Sequence, residues 1–191
     1  SGNIYVADYS NHRVMKWGTT YSDGGTLVAG VSGSYGSGTN QLYNPRGLDV
    51  DASGNIYVAD QSNHRVMKWG TTYSDGGTLV AGVSGTSGAG TNQLYNPYGI
   101  HVDASGNIYV SDTSNHRVMK WGTTYSDGGT LVAGTGTYGY GTNQLYNPRG
   151  LDVDSSGNIY IADYQRHRIM KWAPGASTGT MVAGTGSNGS G

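Results

Sequence analysis

An all-β array of four stacked antiparallel sheets is the architecture this sequence predicts, and three observations lead to it. The string SGNIYVAD begins at Ser1 and returns with small changes at Ser53, Ser105 and Ser156, at spacings of 52, 52 and 51 residues. A repeat of this size is too small to bury its own apolar face and must stack on its neighbours. Within every unit, apolar and polar residues alternate with the period of two that marks strands. Glycine, at 34 of 191 residues, is too frequent for helices, and no segment carries a helical period.

The unit from Asn40 to Gly82 shows the elements in order. GLDVDA (Gly47–Ala52) puts Leu48 and Val50 on one face and forms strand A. NIYVAD (Asn55–Asp60) is strand B, apolar on both faces through Ile56 and Val58 on one side and Tyr57 and Ala59 on the other. Such a strand belongs to a sheet held between two others. RVMKW (Arg65–Trp69) is strand C and TLVAG (Thr78–Gly82) is strand D. Ser53-Gly54 and Asp75-Gly76-Gly77 supply turn residues that tolerate positive φ. A Gly-rich loop of seven or eight residues then leads to TNQLYNP and the next strand A, and its near-constant length predicts an ordered turn between units. Runs of four-stranded units are the sequence cue for β-propeller blades. The chain thus divides into a single array, 1–191, of units spanning about 1–38, 39–90, 91–141 and 142–191.

The stretch NPRGLDVDASGNIYVADQSNHRVMKW closely resembles the NHL repeat, and the resemblance covers essentially the whole chain. It implies a β-propeller whose members bind proteins, RNA or glycans, with lyases and lactonases among related propellers. The fourth copy departs from the pattern. Arg166 stands where the other copies have Asn11, Asn63 and Asn115, and Ala173–Ser177 replaces the YSDGG turn. Neither change touches the apolar pattern.

Composition excludes several classes of partner. Charged residues make up 12% of the chain and the net charge is -1, so no field attracts nucleic acid, and no apolar run is long enough for membrane insertion. With no cysteine, neither disulfides nor thiolate metal sites can form. Low charge with much Gly, Ser, Thr, Asn and Tyr suits an extracellular or cell-surface protein.

Strand A occurs three times and strands B, C and D four times. The first blade therefore lacks its inner strand. Self-association, or further sequence of the same chain, is expected to complete it and to cover the apolar faces of the end blades, since unpaired edges and uncapped terminal repeats are costly.

Candidate sites follow from the repeats. DVDASGNIYVAD (Asp49–Asp60) has the spacing of a calcium loop, but strand B must be extended and His101 takes the first acidic position in the third copy. A turn with exposed acids is the expectation. Asp60 and Arg65, repeated as Asp8/Arg13, Asp112/Arg117 and Asp163/Arg168, are expected to pair within each blade, beside a histidine that orients the turn. His12, His64, His116 and His167 fall in equivalent, separated turns, and the four tryptophans fall at blade interfaces. Neither metal, cofactor nor catalytic residues are expected. Variation between copies gathers at Tyr9, Gln61, Thr113 and Tyr164, at Arg46, Tyr98 and Arg149, at Asp49, His101 and Asp152, and in the Gly-rich loops. Because the B–C and D–A connections share one end of a blade, Tyr9, Arg46, Gln61, Tyr98, His101, Thr113, Arg149 and Tyr164 form the candidate binding face. Asn188 begins the only N-glycosylation sequon.

Near-identical units argue against an enzyme, since catalysis needs different groups converging from different positions. The sequence therefore points to a non-catalytic, multivalent binding or structural scaffold with a protein or glycan ligand, in the manner of a filament subunit or a larger propeller assembly. The alternative is a fragment of a propeller lyase or hydrolase.

Overall fold

The computed structural model describes residues 2–20, 22, 24–187 and 189. Its strands form four antiparallel sheets, each a blade. Blade one contains β1 (Ile4–Asp8), β2 (Arg13–Trp17) and β3 (Thr26–Gly30). Blade two contains β4 (Pro45–Val50), β5 (Ile56–Asp60), β6 (Arg65–Trp69) and β7 (Thr78–Gly82). Blade three contains β8 (Pro97–Val102), β9 (Ile108–Asp112), β10 (Arg117–Trp121) and β11 (Thr130–Gly134). Blade four contains β12 (Pro148–Val153), β13 (Ile159–Asp163), β14 (Arg168–Trp172) and β15 (Thr180–Gly184). Strand order within each blade follows the chain, as period-two patterning and short turns require.

The register pairs Asp60 with Arg65 and Ile56 with Trp69, and the other blades repeat it. Strand A differs from its sequence boundaries. In blade two it starts at Pro45, with a bulge between Pro45 and Leu48, and ends at Val50. Proline is tolerated there because it opens an edge strand. Asp51 leaves the strand because its carboxylate accepts the N–H groups of Ser53 and Asn55 and so builds the turn. The B–C connections are single 3-10 turns closed by histidines in the left-handed region, with His64 at φ 55°.

All five residues of β5 are buried, in line with a sheet covered on both faces. Three apolar clusters join the blades in series. Val14, Val28 and Ala29 of blade one meet Ile56, Val58, Met67 and Trp69 of blade two around Leu42 of the linker. Blades two and three, then three and four, repeat this junction. At the inner edge, β4, β8 and β12 run side by side. A Cβ built on Gly47 would overlap the Tyr98 carbonyl oxygen, and one on Gly99 would overlap that of Arg149, so glycine permits the backbones to touch.

The Gly-rich linkers are ordered by a buried staple. Asp60 accepts bonds from Arg65 Nε at 2.7 Å, Asn63 Nδ2 at 2.8 Å and the Tyr43 N–H at 2.6 Å. The Arg65 guanidinium donates onward to the carbonyls of Ser37, Gly38 and Gln41. Blade and preceding linker are thus fastened together. Burial pushes the Asp60 carboxyl up, against the opposing effect of the Asn63, Tyr43 and Arg65 donors. In blade four Arg166 takes over from asparagine, its Nε donating to the Gly139 carbonyl as Asn63 donates to that of Gly36.

The turn histidines perform the complementary task. His64 Nδ1 accepts the Asn96 N–H at 3.3 Å, and His116 Nδ1 accepts that of Asn147 at 3.2 Å, tying each blade to the linker that follows. Burial lowers both imidazoles below the ordinary histidine value, opposed at His116 by the Asp163 charge. The native state thus favours the neutral rings. Their contribution is present above the ordinary pKa of about 6.5 and is lost as pH falls through the lower native values. A plot of melting temperature against pH is expected to decline below about pH 6.5. The double substitution His64→Asn and His116→Asn, which keeps an acceptor and tolerates positive φ, should flatten that part of the curve. An unchanged slope would assign the decline elsewhere.

Ser111 replaces the alanine found at 7, 59 and 162, and its buried Oγ has no hydrogen-bond partner among the described residues. An orphaned buried hydroxyl costs about 1 kcal/mol or more. Urea unfolding of Ser111→Ala should show a gain of about 1 kcal/mol with unchanged m-value; a loss of stability would contradict the assignment.

Candidate functional site at the inner edge

The inner strands differ between blades at two positions. The first holds Arg46, Tyr98 and Arg149; the second, three residues along, holds Asp49, His101 and Asp152. Because β4, β8 and β12 lie side by side, residues about one repeat apart in sequence become neighbours here.

At the first position an alternating run crosses all four blades. The Arg46 guanidinium lies 3.9 Å from the Tyr9 ring centroid and 5.2 Å from that of Tyr98. Arg149 lies 5.2 Å from Tyr98 and 3.4 Å from Tyr164. Cation–π attraction and stacking suit the flat guanidinium to such a run. Gln61 accepts from Arg46 Nε at 3.1 Å. The structure therefore gathers Tyr9, Arg46, Gln61, Tyr98, Arg149 and Tyr164 at the end of the blades that carries the B–C turns.

Two members of the sequence-derived face do not join them. Thr113 is buried, and its hydroxyl donates to the Pro148 carbonyl at 2.7 Å, so it serves the contact between blades three and four. His101 lies toward the other end of its strand. Pro97 pairs with Asp112 beside the B–C turn, whereas Val102 pairs with Ile108 beside the A–B hairpin, and His101 adjoins the latter. Asn188 lies outside the described residues.

His101 has its own surroundings. Its Nδ1 is 2.9 Å from Asp152 Oδ1 and 3.8 Å from Asp49 Oδ2. Asp49 is itself anchored, accepting the Val102 N–H at 2.7 Å and the Val50 N–H at 2.8 Å. The His101 ring packs edge-on against Tyr109 at 6.4 Å. The 2.9 Å approach of Asp152 Oδ1 to Nδ1 is an ion pair when the imidazole is protonated. Three different blades supply these groups. The sequence does carry a signal for them, since equivalent positions of adjacent inner strands must meet around an axis.

The calcium-like spacing builds a turn. Besides its two N–H bonds, Asp51 accepts from the Asn55 side chain at 2.7 Å and the Tyr57 hydroxyl at 3.2 Å. Burial raises its carboxyl, but the Asn55, Tyr57 and Ser53 donors prevail and hold it below the usual range. Asp103 repeats the turn with Asn107 and Ser105. Among the described residues, no group of three or more His, Cys, Asp or Glu side chains is placed to hold a metal ion. No helix of the described residues is long and apolar enough to cross a membrane.

Comparison with known proteins follows this geometry closely. The NHL repeat profile matches residues 42–69, 94–121 and 145–172, the stretch of each unit from the linker leucine through strand C. Mouse peptidyl-glycine alpha-amidating monooxygenase is 31% identical over 140 residues, covering 70% of this chain and 14% of that protein. Peptidyl-alpha-hydroxyglycine alpha-amidating lyase 2 of Drosophila melanogaster is 32% identical over 88 residues, 45% of this chain and 21% of that protein. Among solved structures, streptogramin B lyase superposes with a TM-score of 0.61 at 14% identity, covering 95% of this chain and 50% of that one. The chain thus spans a minor part of these sequence relatives and half of the lyase.

These relatives overturn the expectation of a protein that is not an enzyme: both sequence relatives are named for the reactions they catalyse. The argument from near-identical units fails because the inner edge carries positions where the units are not identical, and stacking brings those positions together. Four propeller blades and three profile matches together place this chain in the NHL-repeat family.

Proposed function

We propose that the chain is part of an NHL-type propeller enzyme of the lyase class, with its reacting centre at His101. The observation that carries this reading is the convergence of Asp49, His101 and Asp152 from three blades, with His101 Nδ1 held at 2.9 Å by Asp152. A half-buried histidine beside two carboxylates can accept and return a proton. The kinship with an amidating lyase suggests an N-acyl-α-hydroxyglycine as substrate. In that reaction Nε2 of His101 removes the hydroxyl proton as the C–O double bond forms. The C–N bond breaks with its electron pair on nitrogen, and the imidazolium returns the proton there. The products are a peptide amide and glyoxylate. The low charge and tyrosine-rich surface fit work outside the cell.

A binding role for the opposite end is favoured by the Tyr9–Arg46–Tyr98–Arg149–Tyr164 run. Among the described residues no hydrogen bond occupies Arg149, so its five donors are available to an acidic glycan or peptide.

The catalytic reading is tested by incubating the chain with a peptidyl-α-hydroxyglycine and measuring the amide by mass spectrometry. Turnover above the uncatalysed rate is expected, falling about 100-fold or more in His101→Ala. Asp152→Asn should retain part of the rate. Absence of turnover in the parent chain, or full activity in His101→Ala, overturns the reading. Arg149→Ala should leave the pH profile in place while weakening calorimetric binding of a carboxylated oligosaccharide; unchanged binding would remove the anion site.

A further inference from the structure

A groove recurs at the blade junctions, between strands B, C and D of one blade and the C–D connection of the next. Between blades two and three its walls are Tyr57, Lys68 and Val80 on one side and Ile108, Thr123 and Tyr125 on the other, enclosing about 290 Å³. Between blades three and four the equivalent positions hold Tyr109, Lys120 and Val132 against Ile159, Pro174 and Ala176, and the cavity is about 430 Å³. The difference originates in the sequence, because the fourth copy has Ala173–Ser177 in place of the YSDGG turn and so loses its tyrosine. Tyr125 packs its ring against the apolar cluster of blades two and three, and its hydroxyl donates to the Gly82 carbonyl across the junction. Tyr73 stands at the same place between blades one and two. Ala176 takes that place on the cluster of blades three and four, with no ring to extend. Gly82 is buried under this arrangement, whereas its counterpart Gly134 is half-buried. Both walls of the larger groove belong to four-stranded blades, and all of its residues are described.

The chemistry of the walls selects an occupant. Val132 and Ile159 are apolar, and Tyr109 offers a flat ring with the Lys120 ammonium 5.2 Å from its centroid. Among the described residues Lys120 forms no ion pair, and Asp103, which feels its charge, is committed to Ser105 and Asn107. Small-molecule sites are mostly apolar cavities of roughly 300–1,000 Å³ with a few polar groups that fix orientation, a range the larger groove enters and the smaller one does not. We propose that the groove between blades three and four binds a small aryl carboxylate. Its ring enters the space that Tyr125 takes one junction earlier, and its carboxylate meets Lys120. The chain itself shows that a phenol ring fits such a groove, since Tyr125 fills the equivalent one. The cation in the wall then favours an anionic substituent over a neutral or cationic one.

The test is titration of the 191-residue chain with 4-hydroxyphenylacetate, followed by calorimetry and ligand-observed NMR. Saturable binding with a Kd of about 1 mM or below is expected for a ligand of this size. Ala176→Tyr returns the missing ring to the groove and should abolish saturation, with circular dichroism and the melting temperature verifying that the variant is folded. Lys120→Met keeps the stem, removes the charge and should weaken binding about three- to fivefold. Lys68→Met, in the groove that Tyr125 already fills, should leave binding unchanged. Tyramine, the same ring bearing an ammonium, should bind more weakly than the carboxylate, and acetate should not compete. The proposal is overturned if the parent chain shows no saturation up to about 10 mM, if folded Ala176→Tyr binds as the parent does, or if tyramine matches the carboxylate. If Ala176→Tyr does not fold, the two lysine variants decide: an equal effect of both, or none from either, places the ligand elsewhere.

Discussion

A sheet whose second strand is apolar on both faces cannot persist alone in water. β5 buries all five of its residues, and it does so because blade one covers one face and blade three the other. Each large side chain buried at such a junction contributes about 1.5–3 kcal/mol, so Trp69, Met67, Ile56 and Val58 together outweigh any local preference of the strands. Everything else in the molecule serves this stacking. The glycines of the inner strands let backbones approach, and Gly77 leaves room for the indole of Trp69, which a Cβ there would meet at 2.7 Å.

Stacking alone would leave the linkers loose, because their composition is that of a flexible spacer. The Asp–Arg staple prevents this. A carboxylate with three donors and a guanidinium spread over five acceptors satisfy the polar groups that burial would otherwise strand. Removing one partner of such a pair costs about 3–5 kcal/mol. The Asp8–Arg13 pair of blade one lies at 2.8 Å with both side chains 27% exposed, whereas Arg65 and Asp60, at 2.7 Å, are 3% and 0% exposed beneath their linker.

The same repetition that makes the scaffold also conceals its chemistry. Identical units give identical surfaces, and most repeated polar residues are occupied in holding blades and linkers together. The proposed function rests on places where units differ and where stacking superimposes the differences. The inner edge meets both conditions, with a tyrosine–arginine run toward one end and a histidine between two aspartates toward the other. Variation in Thr113 has a different meaning. Its hydroxyl binds the backbone of the next blade, so that difference between copies is a packing adjustment.

Strand positions, pairing order, the buried faces and the Asp–Arg pairs were legible in the sequence because each is set by local pattern. Alternation fixes which side chains share a face, turn residues fix where strands stop, and a four-fold recurrence of Asp and Arg five residues apart fixes their register. The boundaries of strand A were less legible, since the Asp51 turn and the Pro45 bulge depend on hydrogen bonds that a hydropathy pattern does not encode. What only the tertiary structure decided is which equivalent residues meet. Asp49, His101 and Asp152 are about fifty residues apart along the chain, and their approach depends on the angle and spacing at which one blade packs on the next. That geometry arises from side-chain interdigitation across the junctions, a property of assembled blades and not of any one repeat.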